Sequence, residues 1–523
     1  MYSPKEKPKK HLYLQYIYNS TASMRLILYF FLLFCLTAYD MMAQLTTVSP
    51  KRELRAVWLT TLSGLDWPSS KATNDYGIQR QKKELCDILD KLQSANFNAV
   101  VFQVRTRSAV VYPSSIEPWD VCLTGKYGQY PGYDPLAFAV EECHRRGLQI
   151  HAWLVAIPGN KFAQSKVLGN KAIEKRVPNL CLKTSEGYML NPGIPETADY
   201  LASLCEEITR NYDIDGINLD YIRYPEKEIK YNDAATYKKY APKGQSLTEW
   251  RRNNLSYCVK TIHDRVKAIK PWVTISCSPI GKYNDTQRYQ SGGWNAYRAV
   301  FQDAKLWLSK GWMDILMPMM YFQGNHFFPF ALDWQESVEQ RHVTPGLGVY
   351  LIDRRQKDWS RSIIESEIEF CRTHNMGGQV FFRSRFITDN VKGIYDLLKS
   401  NIYRQKALVP PLAGDGIPLP EAPKKEKFEQ TELQTTLSWS PVSGCTYILY
   451  RSNTYPVDTQ NSANIYRVNL SEPQIILEYS LSLAALPYYA VTAINRYGIE
   501  SSPLELNKPQ NIKDLRPYQI NSK

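Results

Sequence analysis

The chain has 523 residues, 44% hydrophobic and 12% aromatic, which supports a large core and two or more domains. The formal net charge is +13, partly held by Lys5, Lys7, Lys9, Lys10 and Arg25; elsewhere Lys and Arg alternate with Glu and Asp. Without a long basic block, this is a solvated basic surface and argues against a nucleic-acid partner.

Leu26 to Ala38 reads LILYFFLLFCLTA behind Arg25. The run is short for a membrane-spanning helix and fits the apolar core of a signal peptide. Starting from Met24, a cut after Ala43 leaves Gln44 as the new end. Residues 1–43 are therefore read as signal peptide and N-terminal extension. Export to the periplasm or cell envelope follows, with no membrane span after removal. Lipid attachment at Cys35 stays open, although Phe34 precedes it where a small residue is usual.

Strand-like runs then alternate with helix-like runs. The strands are expected at 55–61, 98–105, 148–156, 215–222, 272–279, 313–322, 344–352 and 377–384. Between the first two, Leu85, Ile88, Leu89 and Leu92 repeat at helical spacing. Asp134 and Pro135 open another helix, ended by Gly147. The connection before the seventh strand offers only a short helix, in FFPFALDWQESVEQ.

Eight β-then-α units with nearly continuous apolar strands predict a (β/α)8 barrel over residues 52–405. A doubly wound open sheet is the alternative, but no strand is followed by GxGxxG or a P-loop. The Pro-rich and charged stretch 406–427 reads as a linker. Short strands follow over 428–510, with Trp439 on an early one and Tyr488 or Tyr489 on a late one. They predict a small all-β, fibronectin type III-like sandwich with Trp439 and Tyr489 in its structure rather than in a site.

Nine cysteines remain after Cys35, none spaced as CxxC, and the seven histidines show no HxH or HExxH. The cysteines read as buried small hydrophobes, and no metal or other cofactor is expected.

In such a barrel, chemistry sits at the C-terminal strand ends. In DGINLDYI, alternation turns Asn218 and Asp220 inward and Ile217 and Leu219 toward the helices. The same count turns inward Gln103 and Arg105, His151 and Trp153, Thr274, Ser276 and Ser278, and Met317, Met319 and Tyr321. Polar and aromatic groups on one mouth suit a polyhydroxylated substrate. Arg105 has an alternative reading as a structural ion-pair partner of Asp220. Asp213 and Asp215 read as turn residues before the strand.

The pieces ELRAVWLTT, FNAVVFQVR, YPSSIEPWDVCLTGKYGQYPGYDPLAFAVEECHRRGLQIHAW, YDIDGINLDYIRYP and MDILMPMMYF, in this order, resemble the glycosyl hydrolase-like family 10, related to family 187 of the domains of unknown function. The resemblance covers about Arg52 to Ser400. It implies a (β/α)8 barrel, an envelope location and hydrolysis of glycosidic bonds in bacterial glycans, peptidoglycan strands first. Asp220 matches the family's carboxylate at the end of strand four; Gln103, Arg105, His151 and Trp153 match its lining. Many members carry a second aspartate where this chain has Tyr221.

Asp220 is expected as general acid, or as nucleophile or stabiliser if Arg105 lies close, and Asp353, after the seventh strand, as second carboxylate. Asp285, Asp66 and Glu226 follow as candidates, or an N-acetyl group of the substrate. Gln103, Arg105, His151, Trp153, Asn218, Tyr224 and Tyr321 are expected to hold a polysaccharide or peptidoglycan glycan. The C-terminal domain is a possible envelope-docking module. A glycan-binding barrel without turnover is the alternative function.

Overall fold

The computed structural model describes residues 49–509 except 339–340, 413, 415, 432–433 and 479–486. The expected signal peptide and Cys35 lie outside the described residues. Among the described residues, no helix is long and apolar enough to cross a membrane.

Six apolar runs form the strands Leu54–Leu59, Ala99–Arg105, Gln149–Val155, Gly216–Asp220, Thr274–Ser278 and Gly378–Phe382. Two further strand lines are each split by a proline. Ile315–Leu316 and Met319–Met320 flank Pro318; His342–Val343 and Gly346–Leu347 flank Pro345. Proline has no N–H for the ladder, so pairing breaks there.

All these ladders are parallel. The first strand pairs with the second, the second with the third, then the fourth and fifth in turn. The fifth pairs with Ile315–Leu316, which pairs with His342–Val343. Met319–Met320 pairs with Gly346–Leu347, which meets the last strand. The last strand returns to the first, Gly378 opposite Leu54. The result is an α/β barrel.

The seventh strand corrects its predicted range. It ends at Leu347, and Val349–Ile352 is a short 3-10 helix. Apolar content alone cannot separate a buried turn of helix from a strand. Asp353 therefore lies after a helical turn, not at a strand end.

Alternation sorts the side chains into two layers. Leu54, Ala56, Trp58, Val101, Trp153 and Met317 fill the barrel interior. Val57, Val100, Ile150, Ile217 and Leu219 join the core beneath the helices. There Asp75–Ser94 buries Leu85, Leu89 and Leu92, its first turn capped by Asn74. Asp134 caps Pro135–Arg145 by accepting from Leu136 N and Ala137 N. The short helix before the seventh strand is Phe328–Gln335.

After the third strand, Pro158–Lys161, Cys181–Lys183 and Gly187–Leu190 form a small antiparallel sheet. It follows the C-terminal end of its barrel strand, so it stands beside the mouth.

The C-terminal part is all-β. Lys425–Gln430, Gln434–Trp439 and Gln474–Glu478 make one antiparallel sheet. Ile465–Leu470, Cys445–Ser452, Tyr488–Asn495 and Leu504–Glu505 make another. Leu437, Trp439, Tyr447, Leu449, Leu477, Tyr489 and Val491 form their common core.

The stretch 406–427, read as a linker, is held at several points. Leu408 bridges Arg52, Leu412 N donates to Tyr497 O at 2.9 Å, and Asn495 Nδ2 donates to Pro418 O at 3.2 Å. Glu500 of the β domain accepts from Lys51 at 2.6 Å, Arg52 at 2.8 Å and Thr492 Oγ1 at 2.9 Å, joining it to the start of the barrel.

Candidate active site

Asp220 ends the fourth barrel strand, in register with Val155 on one side and Ser278 on the other. It is 6% exposed. Its Oδ2 accepts from Trp153 Nε1 at 3.1 Å and its Oδ1 from Tyr221 N at 2.8 Å. Burial raises its pKa to about 6, against the lowering pull of the Arg223 charge and these two donors. A carboxylate with few partners in a closed apolar site holds its proton into the neutral range.

The chain turns sharply beyond it. Tyr221 has φ of +50°, in the left-handed region that a side chain of this size rarely adopts. Such a residue costs of order 1–3 kcal/mol and persists where its surroundings impose it. Here the Tyr221 ring lies against the Arg223 guanidinium, 4.3 Å from its centroid.

Asn218 lies one inward position below Asp220 and is fully buried. Its Nδ2 donates to Ser276 Oγ at 3.0 Å; its Oδ1 accepts from Ser278 Oγ at 3.0 Å and from Trp58 Nε1 at 3.5 Å. With its amide engaged on both sides, it is a floor for the site rather than a free contact. Tyr321 is half-buried and stacks on Phe382 at 5.3 Å. Burial and then the nearby Asp220 charge push its hydroxyl pKa well up. The structure thus brings Asp220, Trp153 and Tyr321 together.

Three other expected lining residues are placed differently. Arg105 is not the partner of Asp220. Its Nε and Nη2 donate to Glu117 at 2.7 and 2.8 Å, both side chains 0% exposed. Nη1 donates to Ala156 O at 3.0 Å and also to Val155 O. Tyr200 Oη donates to the same carboxylate at 2.8 Å. Burial alone would raise the Glu117 pKa, but Arg105 holds it below the usual range. Arg105 therefore ties the loop after the second strand to the end of the third. Glu117 sits in that loop, twelve residues on, where no local pattern reveals the pairing.

Gln103 is also engaged. Its Oε1 accepts from Thr60 Oγ1 at 2.7 Å, Leu62 N at 2.8 Å and Thr61 N at 3.0 Å, fixing the chain after the first strand. His151 lies far from the mouth, opposite Gly216 at the start of the fourth strand. Burial lowers its pKa to about 4. The ring packs so closely that a Cβ on Gly216 would come within 2.3 Å of Nδ1, which is why glycine stands there. Alternation gave the correct face for His151, but strand length sets its depth.

The remaining carboxylates divide by environment. Asp353 accepts from Arg355 N, Nε and Nη2 at 2.8, 3.0 and 2.7 Å, and these bonds hold its pKa down to about 2. Asp66 is buried against Arg383 and accepts from Thr60 N at 2.9 Å; burial still raises its pKa. Asp285 caps an exposed loop by accepting from Ser291 N at 2.9 Å. Glu226 pairs with Arg223 Nη2 at 2.7 Å. Asp215 accepts from Ile150 N and lies 2.9 Å from His144 Nε2, while Asp213 pairs with Arg496; both serve the opposite end of the barrel. Among the described residues, no three metal-ligating side chains gather around one point.

Tyr224 is fully buried, with Phe301 at 5.5 Å and Tyr231 at 5.9 Å. It backs a cleft between the fourth strand's exit and the small inserted sheet, lined from Tyr221 onward, the residue after Asp220. Arg223 and Arg107 also line it. Neither was singled out from the sequence, although Arg223 stands in the same DYIRYP run as Asp220.

A parallel barrel with a protonatable carboxylate at a strand end, flanked by indole and phenol, is the architecture of an α/β-barrel glycoside hydrolase. The chain belongs to the glycosyl hydrolase-like 10 family, which it matches over residues 53–361. It is 32% identical over 403 residues to glycosyl hydrolase YngK of Bacillus subtilis strain 168, covering 72% of this chain and 77% of that protein. It is 33% identical over 341 residues to glycosyl hydrolase DigH of Escherichia coli K12, covering 60% and 78%. Among solved structures, the PgaB (BpsB) glycoside hydrolase domain of Bordetella bronchiseptica aligns with a TM-score of 0.47 at 11% identity, over 67% of this chain and 98% of that one.

Proposed function

We propose that this protein is exported and hydrolyses glycosidic bonds in a bacterial envelope glycan, with peptidoglycan glycan strands as the favoured substrate. The observation that carries this reading is Asp220, buried at a barrel strand end with its pKa raised to about 6. A carboxyl poised there keeps its proton long enough to give it to a leaving glycosidic oxygen. Trp153 donates to its carboxylate, and Tyr321 lies near enough to feel its charge.

Asp353 supplies the second carboxylate in this proposal. Arg355 keeps it ionised at every working pH, which suits a nucleophile or a base and not an acid. The two-sheet C-terminal part, with buried Trp439 and Tyr489, supports the fibronectin type III-like reading, and envelope docking is the role proposed for it.

The test is release of new reducing ends from purified peptidoglycan glycan strands, with chitin, mannan and polyuronide chains in parallel. Wild type should release ends from the peptidoglycan strands, and Asp220→Asn should not. Binding without release from any polymer would replace hydrolysis with a glycan-binding barrel. Release from another polymer alone would keep the chemistry and discard the substrate.

A further inference from the structure

The β domain meets the barrel at the starts of its strands. Arg496 pairs with Asp213 before the fourth strand, and Glu500 pairs with Lys51 and Arg52 before the first. The mouth at Asp220 opens at the other end. One end of the four-stranded sheet of the β domain carries a cluster of cations that neither contact uses.

There the Tyr466 ring has two guanidiniums beside it, Arg451 and Arg467, each 4.3 Å from its centroid. Both arginines are exposed, and neither makes an ion pair among the described residues. Lys406 also lacks one. Burial and then the nearby Arg467 charge push the pKa of its amine down. Three cations without a counter-charge are complementary to an anionic surface. Tyrosines frame the same end. Tyr455, 38% exposed, packs against Tyr488 at 5.5 Å, and Tyr488 stands opposite Ser452, the residue after Arg451. Tyrosine beside arginine suits a lipid headgroup layer, where the ring is half in water.

The path of the chain favours a membrane over a soluble polymer. Ser462 Oγ donates to Ser49 O at 2.5 Å, and the strand Ile465–Leu470 begins three residues after Ser462. Only four residues along the chain separate Ser462 from Tyr466, a span of at most about 15 Å. In the sequence, residues 39–48 link the apolar run Leu26–Ala38 to Ser49. A linker of that length spans at most about 40 Å, so a membrane that receives the run is within reach of this end.

We propose that this end of the β domain docks on an anionic lipid surface, with Arg451 and Arg467 against the headgroup phosphates and the barrel mouth turned away from the membrane. This names a partner for the docking role proposed above, and it does not depend on the reaction at Asp220.

Co-sedimentation of the full chain with vesicles tests it, using phosphatidylcholine alone or with about a third of phosphatidylglycerol. Wild type should partition onto the anionic vesicles, and added salt should release it. Arg451→Gln and Arg467→Gln should each weaken partitioning about fivefold, and the double variant about twentyfold. Lys5, Lys7, Lys9 and Lys10 are present in every form, so the ratio to wild type reports the patch alone. Circular dichroism checks that the variants are folded. A double variant that partitions like wild type overturns the proposal, as does equal partitioning onto neutral vesicles. Arginine-dependent binding to soluble polyphosphate, with none to vesicles, replaces the membrane with an anionic polymer. Release of reducing ends from soluble glycan strands should be the same in the double variant and wild type. Its absence from both discards the hydrolase reading and leaves the docking result standing.

Discussion

Trp153 Nε1 donates to Asp220 Oδ2 at 3.1 Å, from a neighbouring strand whose register sets Val155 beside Asp220. The indole is thus the one side chain that donates to this carboxylate among the described residues, and it favours the charged form. Removing it should raise a pKa that burial has already raised to about 6. For an acid catalyst, activity falls as pH rises through that value. The alkaline limb of kcat/KM should therefore lie near pH 6 in wild type. In Trp153→Phe it should move up by roughly 0.5–1 pH unit, the size of one net hydrogen bond. A limb that does not move separates Trp153 from the titrating group.

The same burial makes Asp220 a liability for stability. Its folded pKa, about 6, lies above the ordinary value of 3.8. The folded state then binds the proton more tightly than the unfolded state. Stability from this group is present below about pH 4 and is lost as pH rises through 6. Wild type should lose up to about 3 kcal/mol relative to Asp220→Asn between pH 4 and pH 7. Urea unfolding of both proteins at the two pH values measures it. A gap independent of pH would mean that Asp220 titrates normally.

Arg105 and Glu117 should behave as a buried pair and not as ligand contacts. Either Arg105→Met or Glu117→Gln leaves a buried charged or polar group short of its partner, and should cost about 3–5 kcal/mol. Arg105→Met combined with Glu117→Leu should recover part of that loss, because neither member of the pair then faces an empty place, while Tyr200 and Arg176 still lose their acceptor. A double-mutant cycle by chemical unfolding checks this. Additive losses would show that the two side chains do not depend on each other.

Glu500 should couple the β domain to the barrel. Burial would raise its pKa, but hydrogen bonds from Lys51 and Tyr450 and the charges of Lys51 and Arg52 hold it below the ordinary 4.5. This contribution is present above about pH 4.5 and fades as pH falls through the lower folded value. Glu500→Gln should cost about 1–3 kcal/mol at pH 7 and less once acid protonates the folded carboxylate. Limited proteolysis at pH 7 should cut the variant faster within residues 406–427. Equal cutting of both proteins would mean that other contacts hold the domain.

Side-chain period explains what was readable beforehand. Alternation in DGINLDYI puts Asn218 and Asp220 inside and Ile217 and Leu219 outside, and all four lie so in the structure. The seventh strand stops short of its expected range because Val349–Ile352 is as apolar as a strand yet forms a helical turn. Arg223 was overlooked because an arginine after a strand is ordinary until its neighbours leave two of its nitrogens without partners.

The sequence by itself determined the barrel, the order of its strands and the inward direction of Asp220. Those follow from local periodicity and from short connections along the chain. Only the tertiary structure decided which charges meet. Arg105 chose Glu117 on a loop, His151 went to the floor opposite Gly216, and Asp220 was left with Trp153 and a raised pKa. Pairing and desolvation depend on distances across strands and loops, and no spacing along one strand contains them.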